Sequence, residues 1–382
     1  MTTTTPDHVH RLITELTNSG ALTDAAWIEA FTRVPRHAFT PSFWQRLPGG
    51  TGQKEYIDGH DPAQHQRWLE VVYSDHALVT HHDADTGIAT SSSTQPSLMA
   101  LMLEALNVAD GNDILEIGTG SGYNCALLCQ RLGAEHVTSI DIDPHLVETA
   151  GHALAGLGYA PRLVIGNGML GVPSAAPYDG IIATCSTNRV PGAWVRQARP
   201  SATIIANIGA GVVRLALADD GHSASGRFLP GFAGFIEARA ADGPTRLPLP
   251  DLMKLCAEPG DHARHAHVGT DFEDHEFLVF LGVSIPDLTR NLITYDDNDL
   301  TRYLFAGPDS AWMTATHNPA GDDHVTTGGP RDLWEAVNEI RDRWVGADRP
   351  RHDRIGLTVT EDGAHHMWID EPGSDHTWTI TT

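Results

Sequence analysis

Positions 114–123 read Ile-Leu-Glu-Ile-Gly-Thr-Gly-Ser-Gly-Tyr, a β-branched run that carries an acid and then three glycines at alternate positions. The apolar start predicts a buried parallel strand, and the glycines let the backbone turn tightly and lie against a ligand that a Cβ would push away. Asn124 to Leu132 then predicts a helix whose free N–H groups face the loop, where an anionic ligand group is favoured. Nineteen residues past Gly122, at the end of the run His136 to Ile140, stands Asp141. A carboxylate there can accept two hydrogen bonds from a ribose diol. Gly118, Gly120 and Gly122 make G-x-G-x-G where nicotinamide sites show G-x-G-x-x-G, and that spacing argues against NAD. A tight strand-to-helix turn without a ligand is the plainer reading, which Glu116 and Asp141 together weaken.

The second constellation is Ser91-Ser92-Ser93-Thr94-Gln95-Pro96, just before an apolar helical pattern. As structure, these hydroxyls cap a helix with Pro96 in its first turn. As chemistry, they are uncharged donors able to orient a carboxylate. Both readings stand at the level of the sequence.

Val9, Leu12, Ile13 and Leu16, then Trp27, Ile28 and Phe31, recur at helical spacing, so the N-terminus is expected to be helical down to Val34-Pro35-Arg36. Pro48 to Gly52 reads as a loop. Leu98, Met99, Met102, Leu103 and Leu106 mark a helix before the glycine-loop strand. Another follows Asp141 with Leu146, Val147, Ala150, Ala153, Leu154 and Leu157. Strands at Leu163–Ile165, Gly180–Cys185 and Thr203–Ile208, with a helix at 192–198, continue the alternation, which implies a parallel sheet with right-handed crossovers. Val212 to Ala218, the turn Asp219-Asp220-Gly221 and the segment to Ile236 read as a closing antiparallel hairpin. Beyond Leu247-Pro248-Leu249-Pro250 the pattern turns strand-rich, with Phe277 to Ile285, Trp312 to Thr316, Ile355 to Thr360 and His376 to Thr381. One amphipathic helix interrupts it, with Leu333, Trp334, Val337, Ile340 and Trp344 on one stripe.

With 382 residues and 41% hydrophobic content the chain has ample material for a core plus a substantial extension. A net charge of -24 argues against nucleic acid or an anionic membrane as partner, since both need clustered Lys and Arg. No apolar run reaches the length of a membrane span, and Met1 to Asp7 lacks the basic and apolar regions of a signal peptide, so the cytoplasm is the expected compartment. Cys125, Cys129, Cys185 and Cys256 show no disulfide spacing and are read as packing residues. His262, His265 and His267 with Asp271 invite a metal, but no His-Glu-x-x-His or paired Cys-x-x-Cys accompanies them, and no metal is expected. The sequence leaves the oligomeric state open; a monomer is compatible with it, and the C-terminal extension could equally supply an oligomer contact.

The glycine loop with Glu116 and Asp141 resembles motif I of the S-adenosylmethionine (AdoMet) methyltransferases. Thr94-Gln95-Pro96 is similar to the Ser-Gln-Pro element of the protein-L-isoaspartate O-methyltransferases. Val34-Pro35-Arg36 with Phe39, Gly166-Asn167-Gly168 through Gly171, Ala176-Pro177-Tyr178-Asp179 and Val190-Pro191 resemble further elements of that family in order and spacing, over roughly Leu22 to Ala240. Thr94 replaces a serine, which adds a methyl to the pocket. Asn167 replaces an aspartate, so an adenine contact must come from an amide or the backbone.

The resemblance implies an α/β fold, a doubly wound Rossmann-like AdoMet methyltransferase core (81–245) with a helical N-terminal lid segment (1–80) and a C-terminal α+β extension (246–382) that recognises a peptide. It implies AdoMet, with S-adenosylhomocysteine (AdoHcy) as product, held by Glu116, Gly118, Thr119, Gly120, Ser121, Asp141, Ile142, Asn167 and Gly168. Ser92, Ser93 and Thr94 are the expected catalytic hydroxyls, with Ser91, Gln95, Thr184 and Cys185 toward the substrate. The implied chemistry is esterification of an aspartate or isoaspartate carboxylate, which is ionised at neutral pH and needs positioning more than acid–base help; positioning can supply about 7–11 kcal/mol. The Ser-Ser-Ser-x-x-Pro run, Leu333-Trp334 and Ile355 to Thr360 resemble a subgroup found with ribosomally made modified peptides. In that subgroup a cyclised precursor (graspetide or lanthipeptide) is esterified and an aspartimide remains. General isoaspartyl repair is the alternative, and a small-molecule methyltransferase or a non-catalytic peptide-recognition protein are the readings from other classes. A strand-rich extension can dock a peptide as an added strand, or serve only as a stabilising appendage. An acidic chain that must bind an acidic substrate poses a tension that only local patches can relieve.

Overall fold

The computed structural model describes residues 4–46, 54–84, 87–239, 247–295 and 300–380. Ile114–Ile117 and Val137–Asp141 are buried at every position, as parallel strands covered on both faces must be. They lie in a sheet whose parallel part runs, in spatial order, Arg162–Ile165, Val137–Asp141, Ile114–Ile117, Tyr178–Thr187, Ala198–Ile208. The chain winds outward from Ile114–Ile117 and then returns to its other side at Tyr178–Thr187. The resulting switch point opens a crevice at the carboxyl ends of these two strands.

Alternation along the strands separates two cores. Ile114, Val137, Ile182 and Ile205 pack with the N-terminal helices Thr5–Asn18 and Ala25–Arg33 and with helices Pro96–Leu106 and Tyr123–Leu132. Leu115, Ile117, Ile140, Ile181 and Ile204 face the other way, toward Trp194 on Gly192–Gln197 and the C-terminal elements. Cys125 and Cys129 are buried in the first core as free thiols, in the packing role expected of them.

The N-terminal segment, expected to be helical, also contains a four-stranded antiparallel sheet in the order Lys54–Asp58, Ser42–Arg46, Leu78–His82, Ala89–Ser93. Expected loop residues Pro48 to Gly52 lie outside the described residues. The hydroxyl run therefore begins as an edge strand, and its pairing with Leu78–His82 carries register shifts around His81. Bulges of this kind re-aim side chains beside functional sites. The capping reading fails: Gln95 is the N-cap of Pro96–Leu106 and makes no side-chain cap bond, while Asp75 accepts from the Ser97 amide at 2.8 Å.

The sheet does not stop where the sequence places a domain boundary. Antiparallel strands Gly211–Leu217 and Ser223–Phe228 continue it, and Ile355–Thr360, His365–Ile369 and Thr377–Ile380 complete it to ten strands among the described residues. Pairing with Ile355–Thr360 satisfies backbone groups that Ser223–Phe228 would otherwise expose as an edge. Between them sits a smaller unit, an antiparallel sheet ordered His262–His265, His324–Gly328, Trp312–His317, Leu300–Ala306, Thr289–Tyr295 with helices His275–Ser284 and Leu333–Gly346. The strand expected at Phe277 to Ile285 is that first helix. A continuous apolar run suits a buried strand or a buried helix equally, and Asp274, whose side chain accepts from the Glu276 and Phe277 amides, decides for the helix.

Candidate active site

A cleft lies at the switch point, between the glycine loop and the hydroxyl edge strand. Gly118, Gly120 and Gly122 all have positive φ, at 96°, 52° and 87°. Each glycine serves a different purpose. A Cβ at Gly122 would stand 2.9 Å from the Ala150 Cβ, and one at Gly118 would stand 3.0 Å from the Thr184 hydroxyl. At Gly120 the nearest atom to such a Cβ is Ser91 Oγ, 3.5 Å away in ordinary van der Waals contact, so the loop closely faces the hydroxyl run.

The loop is pinned from below and from the side. The Gly118 amide donates to the Ile140 carbonyl at 2.8 Å, and the Gly120 amide donates to Asp141 Oδ2 at 2.9 Å. Asp141 Oδ1 accepts from the Asp143 amide at 3.1 Å. The Thr184 hydroxyl donates to the Gly118 carbonyl at 2.6 Å, so its first duty is to the loop, although it lines the cleft. Cys185 lines the cleft too, but burial pushes its thiol up to about 12, which excludes a thiolate nucleophile at neutral pH.

Glu116 is corrected from its expected place. It is fully buried beneath the loop and does not line the cleft. Its carboxylate accepts from Asn124 Nδ2 at 2.7 Å and Ser139 Oγ at 2.5 Å, and Ser139 also bonds Thr119 Oγ1 at 2.7 Å. Desolvation raises its pKa to about 7. Glu116 thus sets Asn124 and Thr119, both in the cleft wall. Gln95 is corrected likewise: it lies off the cleft, and its amide donates to Asp75 and Ser97 at 3.0 Å.

The remaining expected residues, Ser91, Ser92, Ser93, Thr94, Thr119, Ser121, Asp141, Ile142, Asn167 and Gly168, line the same cleft with Gly118 and Gly120. Asn167 uses its side-chain oxygen to accept from the Met169 amide at 2.9 Å, which fixes the turn. Ser91 Oγ accepts from Thr80 Oγ1 at 3.0 Å and keeps its own proton. Among the described residues the Ser92 and Thr94 hydroxyls have no protein partner, so they are free for a ligand. His262, His265, His267 and Asp271 form no metal cluster among the described residues; His265 pairs with Asp322 at 3.2 Å instead.

Three features escape the sequence reading. The segment Ile236 to Arg239 straps across the cleft: the Ser186 amide donates to the Ile236 carbonyl at 2.9 Å and the Ala238 amide donates to the Ser186 carbonyl at 2.8 Å. Its far end is held by Arg239, 3.1 Å from Asp143 and 3.6 Å from Asp141. Tyr123 and Asn124 also line the cleft. The third is Arg36, fully buried behind the hydroxyl strand; its place in the Val-Pro-Arg element was the one signal available.

The cleft fits a nucleoside carrying a positively charged sulfur. Gly118 and Gly120 line it without a side chain, Asp141 offers a carboxylate to a ribose diol, and among the described residues Asn124 Oδ1 is a buried acceptor without a hydrogen-bond partner.

The chain was compared with known proteins. The family model described as Protein-L-isoaspartate(D-aspartate) O-methyltransferase matches residues 7–221. The Ignicoccus hospitalis protein-L-isoaspartate O-methyltransferase is 43% identical over 104 residues, which is 27% of this chain and 49% of the relative. The Gloeobacter violaceus enzyme is 32% identical over 185 residues, 48% of this chain and 74% of the relative. The match thus spans about half of the first relative's length and three quarters of the second's. A solved protein-L-isoaspartate O-methyltransferase structure shares the fold over 95% of this chain and 100% of its own, with a TM-score of 0.56 and 23% identity. The C-terminal extension therefore has a structural counterpart in a protein of that description. Helices on both faces of the sheet, the switch-point cleft and the matched residues converge: the chain belongs to the protein-L-isoaspartate(D-aspartate) O-methyltransferase family.

Proposed function

We propose that the protein is an AdoMet-dependent carboxyl O-methyltransferase acting on isoaspartyl residues of polypeptides, in the manner of repair. The observation that carries this reading is the approach of an uncharged hydroxyl strand to the glycine loop, with Ser91 Oγ 3.5 Å from where a Gly120 Cβ would stand. AdoMet, when bound, supplies a methyl group on a sulfonium sulfur. Gly118, Gly120, Asp141, Asn167 and Gly168 would hold it, and the strap Ile236 to Arg239 covers it.

On the opposite wall, Ser92 and Thr94 orient the substrate carboxylate. Neutral donors suit this task, because the carboxylate loses charge as the ester forms and a cation in direct contact would stabilise the ground state more. Closing the cleft also removes the hydration that blunts a carboxylate. In the ester, the neighbouring backbone amide nitrogen attacks the carbonyl carbon, methanol leaves and a succinimide closes; hydrolysis of that ring is the repair step.

Esterification of a cyclised precursor peptide, with the aspartimide retained, is the second reading. It rests on the resemblance of Ser91-Ser92-Ser93, Leu333-Trp334 and Ile355 to Thr360 to that subgroup. The five-stranded unit between Leu247 and Gly346 does not decide for it, since a solved protein-L-isoaspartate O-methyltransferase shares the fold over 95% of this chain. Incubation with AdoMet and either an arbitrary isoaspartyl peptide or a cyclised precursor, followed by mass, tests both. Turnover of the arbitrary peptide supports repair; methylation of the precursor alone supports the specialised reading. AdoHcy binding with no methyl transfer to either leaves the non-catalytic reading and overturns the proposal.

A further inference from the structure

We propose that Arg36 is the positioning residue that makes the hydroxyl wall read a carboxylate, by converting Ser93 into a charge-assisted donor toward the substrate. The inference rests on the carboxyl methyltransferase reading of the site and adds what selects the anion.

Arg36 has no exposed surface, and among the described residues no carboxylate pairs with it. Its five N–H groups are taken by neutral oxygens. Nη1 donates to the Val72 and Ser74 carbonyls at 2.8 and 3.1 Å. Nη2 donates to the carbonyls of His76, Ser93 and Thr94 at 2.9, 3.3 and 3.0 Å. Nε donates to Ser93 Oγ at 3.2 Å. Burying a charge away from water with no carboxylate in direct contact is costly, even with Asp75 near enough to favour the cation, and five carbonyls would satisfy a purely structural tie without a charge. Burial lowers the guanidinium only to about 10, so it remains a cation at neutral pH.

The sixth acceptor gives that charge a route to the cleft. Ser93 is 1% exposed and lines the cavity. With one lone pair engaged by Nε, its hydroxyl proton has no protein acceptor among the described residues and is available on the cavity side. A hydroxyl that accepts from a cation is polarised and donates more strongly. The cation stays one bond removed from the reacting oxygen, which separates binding from chemistry. Arg36 strengthens the hold on the ionised ground state, and the transition state, with its charge dispersing, gains less. Its loss therefore raises KM and leaves kcat level or slightly higher, never lower.

The test uses the full chain and two competing peptides, one isoaspartyl and one identical except that the free carboxylate is amidated. Arg36→Lys keeps a cation but has no Nε–H to bond Ser93 Oγ, so the expected result is a rise in KM of about five- to tenfold, the gap between a charge-assisted and a neutral hydrogen bond. With it go a kcat level or up to about twofold higher, AdoHcy affinity unchanged, and a preference for carboxylate over amide reduced by the KM factor. Ser93→Ala, which leaves Arg36 its five carbonyls, should lower the same preference, and Arg36→Lys should add nothing in that background. If both peptides weaken alike, or the two substitutions reduce the preference additively, Arg36 is only a structural tie and the inference is overturned. Where Arg36→Lys does not fold, Ser93→Ala decides: an undiminished preference overturns it. Wild-type protein that binds AdoHcy but neither methylates nor prefers the isoaspartyl peptide overturns the function reading itself.

Discussion

Replacing Glu116 by Gln should change how stability depends on pH, because burial from water favours this acid in its neutral form. The folded state raises its pKa from 4.5 to about 7, chiefly by desolvation, against the opposing hydrogen bonds from Ser139 and Asn124. Below pH 4.5 the carboxyl is protonated in both states and the protein has its full stability from this group. Between 4.5 and about 7 the unfolded chain ionises and the folded protein does not, so stability falls as pH rises; above about 7 the loss is complete. Shifting one group over that interval is worth about 3 kcal/mol.

Glu116→Gln removes the titration and keeps one acceptor oxygen, so either Asn124 or Ser139 loses its partner at a cost of about 1–3 kcal/mol. The variant should then be less stable than wild type near pH 5 and should gain on it by about 3 kcal/mol toward pH 8. Urea denaturation of both proteins across that range measures it, and the wild-type minus variant difference cancels the other carboxylates. A difference that stays flat with pH refutes the assignment of this titration to Glu116.

Three other substitutions probe the cleft. Gly122→Ala forces a Cβ to 2.9 Å from Ala150 Cβ at a φ of 87°; it should cost roughly 3 kcal/mol, read by denaturation. Asp141→Asn should weaken AdoHcy by about 2 kcal/mol, roughly thirtyfold by calorimetry, and should also lower Tm, because only one of the Gly120 and Asp143 amides keeps its acceptor. Replacing Ser92 and Thr94 together by Ala should lower kcat at least about tenfold with AdoHcy affinity unchanged, since the cofactor lies on the other wall; equal losses in both would place these hydroxyls in the cofactor site instead.

What could be read from the sequence was local. The β-branched strands, the glycine spacing and the distance to Asp141 are properties of short segments, and all three stand where they were expected. The hydroxyl run declared its chemistry but not its conformation, because serines have little strand preference of their own and Ala89–Ser93 is held by pairing with Leu78–His82. Glu116 looked like a ligand because the motif places it beside one, yet the pleat turns it beneath the loop. Phe277 to Ile285 was ambiguous for want of a period. The strap rests on two hydrogen bonds to Ser186, about fifty residues earlier, and Ile355–Thr360 joins a strand more than a hundred residues before it. No window of sequence contains either contact.

An acidic chain that binds an acidic substrate is less paradoxical once charges are placed. Most of the -24 is on the surface, where ions screen it beyond about 8 Å at physiological salt. Asp141 lines the cleft on the glycine-loop side and shares Arg239 with Asp143, while the opposite wall is neutral hydroxyls backed by a buried Arg36 that, among the described residues, has no carboxylate in direct contact. One wall suits a cation and the other an anion, and the cleft that Gly120 and Ser91 both line is where the two would meet. Net charge then governs solubility and the approach of partners, whereas under the role proposed for Arg36 selection at the carboxylate belongs to one buried guanidinium.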